Sequence, residues 1–188
     1  MDAIQGDDAA EFRIALSSLR SVRYRPEVTV EESPAPQRLA PHAVALSADV
    51  AQDGEELGSG RLVVLHDPSG QASWAGTFRV VAFVRATLEA EMAADPLLAE
   101  VGWSWLVEAL DTNAASYTNI SGTVTRVTSE SFGGLAQRPL EGQIELRASW
   151  TPVDPDLAPH ARAWAEVLGQ AAGLVPLPPG VAQLPRPR

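Results

Sequence analysis

Residues 77–86 (TFRVVAFVRA) constrain the fold of this chain more than any other segment. They read as a β-strand whose centre, Val80 to Val84, is apolar on both faces, and such a strand belongs inside a sheet, covered on each side. The surrounding sequence supplies its neighbours. Residues 27–32 alternate Val28 and Val30 with polar side chains, and residues 43–50 set Val44, Leu46, Ala48 and Val50 on one face. Residues 61–66 read as another strand, reached through the acidic stretch 51–60, whose composition is that of a hairpin loop. Asp67-Pro68-Ser69-Gly70 carries the signature of a type I turn. Residues 122–131 and 143–150 form a further strand pair, the second with Ile144, Leu146, Ala148 and Trp150 facing one way.

Helical periodicity marks three further segments. Asp7 and Asp8 cap a helix that runs to about Val22, with Phe12, Ala15, Leu16 and Leu19 on its apolar face. Asp95-Pro96 opens a second helix, with Leu98, Val101, Trp105 and Ala109 on one stripe. Residues 158–172 make the third, with Ala161, Trp164, Ala165 and Leu168 inward. The order α-β-β-β-β-α-β-β-α predicts an α+β fold, an antiparallel sheet of about six strands with three helices. A single domain over residues 7–172 accounts for all of it. A flexible leader (1–6) precedes it and a Pro-rich C-terminal tail (173–188) follows.

Composition excludes more than it assigns. The chain has no cysteine and no lysine, and all 14 of its basic residues are arginine. Disulfides, thiolate metal sites and thiol nucleophiles are therefore out, as are Schiff-base chemistry and the lysine of a phosphate-binding loop. A formal charge of −10 argues against non-specific nucleic-acid binding, though not against a local basic patch. No apolar run approaches a membrane span and no signal peptide is evident, which places the chain in the cytoplasm with no membrane contact.

The chemical motifs fail one by one. His42, His66 and His160 lie at no metal-binding spacing, so no metal and no cofactor is expected. His66, Asp67 and Ser69 have the residue types of a hydrolase triad, but three members of one tight turn cannot hydrogen-bond in series. Taking Asp49 as the first position of a calcium loop puts Gly60 where a bidentate glutamate is needed. Gly133-Gly134 follows a strand without forming a nucleophile elbow, and reads as a turn or bulge. No catalytic residue is assigned.

Two arginine sets remain. Arg13, Arg20, Arg23 and Arg25 lie on or just after the first helix, with Tyr24 interleaved. That combination suits phosphate or RNA contacts, and the same charges also complement the helix dipole. Arg79, Arg85, Arg126 and Arg147 lie on strands, where they pair with carboxylates such as Glu130 and Glu145 or bind an anionic partner. Of the 5 tryptophans, Trp74 precedes the central strand in a polar loop and is the one expected to be exposed at an interface.

Several segments together resemble an actinobacterial family known as domain of unknown function 3000. They are residues 12–25 (FRIALSSLRSVRYR), 39–50 (LAPHAVALSADV), 77–85 (TFRVVAFVR), 95–110 (DPLLAEVGWSWLVEAL), 123–134 (TVTRVTSESFGG) and 147–152 (RASWTP). The resemblance implies a cytoplasmic protein and an RNA-metabolism context, and carries over no catalytic residue. Element order, size and acidity also look like the secretion-chaperone-like fold, which implies a protein partner and leaves a homodimer open. The expected function is a non-enzymatic protein-binding, adaptor or regulatory module. The alternatives are an RNA-associated factor working through the first-helix arginines, or an enzyme built on carboxylates and arginines alone.

Overall fold

A computed structural model describes residues 2–176, with side chains from residue 10 onward. Helix α1 spans Asp2–Ser21, so it starts ahead of the Asp7-Asp8 caps, and residues 2–6 are its first turns rather than a loose leader. Ala3, Ile4 and Gln5 are all compatible with a helix. Most of the expected Pro-rich tail, from residue 177, lies outside the described residues.

Strands β1 (Val28–Ser33), β2 (His42–Gln52), β3 (Glu55–Gln71) and β4 (Gly76–Leu88) follow as a meander. Helices α2 (Ala90–Ala94) and α3 (Leu98–Thr112) then lead to β5 (Tyr117–Ser129), β6 (Glu141–Pro152) and α4 (Ala158–Ala171). The strands pair antiparallel in one 6-stranded sheet, order β1-β2-β3-β4-β6-β5. The predicted α+β class, antiparallel sheet and single domain are thus observed, with α2 as an added short helix. Ala93 of α2 packs over Gly142, so closely that a Cβ there would collide with it.

The helices all lie on one face. Val44, Leu46, Val64, Val80, Val84, Ile144, Leu146 and Trp150 point towards them and are buried in a single core with Leu106, Leu110, Trp164 and Leu168. Helix α4 crosses β2, β3 and β4, and Trp164 donates its indole N–H to the Phe83 carbonyl at 3.2 Å. The start of α4 is tied to α1, because the Ser18 hydroxyl accepts the Leu157 N–H at 2.9 Å.

Among the described residues the opposite face carries no helix, which corrects the expectation that β4 is covered on both sides. Val81 is 40% exposed, and Phe83 is only partly shielded, with the Arg147 guanidinium 5.2 Å above its ring. A strand's own apolar pattern does not say on which side the helices will gather.

Two turns also differ from expectation. The acidic stretch 51–60 is mostly strand, with Gln52 paired to Glu55 around a two-residue turn. Asp53 and Gly54 both take positive φ there, 53° and 86°, as a type I′ hairpin needs. Asp67-Pro68-Ser69-Gly70 stays within β3 as an irregularity between His66 and Gln71, and the chain reverses at residues 72–75. That reversal folds Trp74 back on to the open face, where it packs with Ala45, Val63 and Leu65 and is 9% exposed. The expectation of an exposed Trp74 is therefore overturned.

Candidate functional site

The histidines are packed rather than poised. His42 and His66 face each other across β2 and β3, with ring centroids 5.7 Å apart, and stack with Phe12 of α1 and Phe78 of β4. His66 is fully buried, with its Nε2 3.6 Å from a Glu11 carboxylate oxygen. Asp67 accepts hydrogen bonds from the Ser69 backbone and hydroxyl and from Gln71, which hold its carboxyl below the usual range. These contacts make an Asx turn, not a catalytic series. Among the described residues no group of three or more histidines and carboxylates is placed to hold a metal ion.

The strand arginines do not act as one set. Arg79 is nearly buried and donates to the Asn119 carbonyl, the Thr151 hydroxyl and the Ser149 hydroxyl, with no carboxylate; burial lowers its pKa. Arg85 donates to Gln143, and Arg147 pairs with Glu145 at 2.9 Å. Arg126 turns to the helix side and donates to the backbone carbonyls of Ala94 and Asp95.

The first-helix arginines divide between two places. Arg13 and Arg20 flank a shallow hollow on α1, and Arg20 bridges to Glu32 at 3.1 Å. Arg23, Tyr24 and Arg25 instead open into a cleft of 570 Å³ between the end of α1, α3 and α4. Arg25 is engaged by Glu27 at 3.0 Å and by the Val175 carbonyl. The Tyr24 hydroxyl is buried and finds no hydrogen-bond partner among the described residues. Desolvation pushes its pKa up to about 12, partly offset by the nearby Arg162 guanidinium, so it is a neutral donor. A buried hydroxyl left unmatched costs about 1–3 kcal/mol.

The two sheet edges contrast. Strand β1 is short, carries Glu31 and Glu32, and runs into Pro34 and Pro36. Strand β5 is 13 residues long, pairs among the described residues only with β6, and reads YTNISGTVTRVTS, with Arg126 as its one charge. No proline, lysine or acidic residue guards it. The loop that follows exposes Phe132 (73%), Leu135 (50%) and Leu140 (49%).

Residues 8–182 of this chain match the family described as "Protein of unknown function (DUF3000)". The chain belongs to that family. No curated protein and no solved structure matches it. In this DUF3000 protein no described helix is long and apolar enough to cross a membrane.

Two features of these surfaces do not show in the order of the DUF3000 sequence. Arg162, Glu166 and Trp105 line the Tyr24 cleft from helices distant in the chain, and only the fold unites them. The bareness of β5 was visible as a Thr/Val run free of breakers, but its place at the edge was not.

Proposed function

We propose that this chain is a non-enzymatic protein-binding module of the cytoplasm, and that its β5 edge takes up an extended segment of a partner. The observation that carries the reading is the contrast between the guarded β1 edge and the open β5 edge. An edge strand offers a row of unpaired backbone donors and acceptors, and proteins blunt such edges with short strands, charges and prolines. Strand β1 has all three devices; β5 has an irregularity between Thr118 and Ser121 near its start, and beyond it only Arg126, whose guanidinium is turned back to the Ala94 and Asp95 carbonyls. Main-chain pairing along such an edge supplies affinity, and neighbouring apolar side chains supply selectivity. Phe132, Leu135 and Leu140 stand at the end of β5 for the second role. With a net charge of −10 and Glu130 and Glu141 flanking the edge, the favoured segment is neutral or basic; a second copy of so acidic a chain is disfavoured by repulsion.

The test is affinity capture from native lysate, at low and high salt and with and without nuclease, using the wild type and a Thr125→Lys/Val127→Lys variant. A protein partner held through both treatments and lost by the variant is the expected result. Capture that the variant leaves unchanged, or no stable partner, refutes the edge reading. Loss of every partner on nuclease treatment favours instead an RNA-associated factor using Arg13, Arg20, Arg23 and Arg25.

A further inference from the structure

The cleft at the end of α1 is built for something smaller than a protein segment. Its walls are mixed: Trp105 and Ala109 from α3 and Ala165 from α4 form an apolar, partly aromatic patch among charged and polar side chains. At 570 Å³ it lies within the range of small-molecule sites, roughly 300–1,000 Å³, which combine apolar walls with a few placed polar groups.

The polar groups here lean towards donors. Tyr24 contributes a buried hydroxyl that no described residue satisfies. Buried polar atoms are almost always hydrogen-bonded, so an exception beside a cleft of this size calls for a reason. Arg23 and Arg162 bring two guanidiniums to the same rim, and no ion pair or hydrogen bond engages either of them among the described residues. Glu108 and Glu166 also line the cleft, but Glu166 accepts the Asn113 side-chain N–H at 2.8 Å. The Arg162 guanidinium lies near enough for its charge to be felt at the Tyr24 hydroxyl.

We propose that this cleft is a ligand site for a small organic anion with a flat apolar body, an aromatic carboxylate in chemical class. The ring lies against Trp105, and the carboxylate accepts from the Tyr24 hydroxyl and from Arg162. The site is independent of the β5 edge, to which Tyr24, Trp105 and Arg162 do not belong.

The probe is 1-naphthoate, titrated into the full-length protein and followed by two-dimensional amide NMR, with the neutral 1-naphthylmethanol alongside. Saturable shifts confined to the end of α1, α3 and α4 are expected, with the alcohol at least tenfold weaker. Tyr24→Phe deletes only the hydroxyl and Arg162→Gln only the charge; each is expected to weaken naphthoate about tenfold while the protein stays folded. Tyr24→Phe should also raise Tm, because it removes an unmatched buried group. Absence of saturable binding, equal binding of the alcohol, shifts located elsewhere, or unchanged affinity in Tyr24→Phe would each overturn the assignment.

Discussion

Trp150 donates its indole N–H to Nδ1 of His160 at 3.0 Å, deep between the sheet and α4. The bond requires a bare nitrogen, so His160 is neutral in the folded chain. Burial lowers its pKa from 6.5 to about 4, against the opposing pull of Asp154 and Asp156.

That pair predicts an acid-sensitive fold. Below pH 6.5 the unfolded chain takes up a proton on this histidine, which the folded chain refuses until about pH 4. Stability from this source is therefore complete above pH 6.5 and declines as pH falls towards 4, by on the order of 3 kcal/mol in all. His160→Gln keeps an acceptor for the indole and removes the titration. Urea midpoints measured from pH 7 to pH 4 should fall more steeply in the wild type than in the variant. Parallel slopes would refute the assignment.

Arg79 should be structural and specifically an arginine. Its guanidinium joins β4 to β6 through Ser149 and Thr151, and to β5 through the Asn119 carbonyl. Asn119 in turn has a positive φ of 53° and donates to the Trp74 carbonyl at 3.2 Å. Arg79→Met keeps the apolar stem but leaves those acceptors without a donor, at an expected cost of about 2–3 kcal/mol. A lysine cannot span the same three directions, so Arg79→Lys should recover less than half of that. Chemical denaturation of the two variants decides it.

The hairpin between β2 and β3 offers a backbone test. Gly54 sits at φ 86° with open space around its missing Cβ, so strain alone separates glycine from alanine there. Gly54→Ala should cost about 1 kcal/mol. Asp53→Asn, at φ 53°, should be tolerated, since asparagine suits the first position of a type I′ turn. Thermal denaturation that ranked them the other way would contradict the assigned turn.

These cases show what the sequence could and could not disclose. The sheet was legible because β6 keeps a strict period of two from Ile144 to Trp150 and β2 sets Val44, Leu46, Ala48 and Val50 on one face. The tip at Asp53-Gly54 was obscured by Glu55 and Glu56, which look like loop residues but are exposed strand positions. Trp74 was misplaced because its burial depends on a reversal that returns it to Ala45 and Leu65. Arg23, Tyr24 and Arg25 stood out as a local cluster, whereas the opposing wall from Trp105 to Arg162 exists only once α3 and α4 pack. Local pattern reports strand and helix faces, and non-local packing decides which polar groups meet.

The loop after β5 separates a docking role from a structural one. Phe132 is 73% exposed, and Gly133 and Gly134 beside it have no atom within reach of a Cβ, so the segment rests on little of the fold. Replacing Phe132 and Leu135 together by serine removes apolar surface that is mostly in water already. The expected change in stability is therefore within about 0.5 kcal/mol. Were these side chains a satellite of the core, the loss would be several times larger. If they select the partner segment that pairs with β5, the same variant should retain its Tm yet capture markedly less partner in the assay used for the edge lysines. Unchanged stability with unchanged capture would confine recognition to the backbone of β5 and remove the loop from the binding surface.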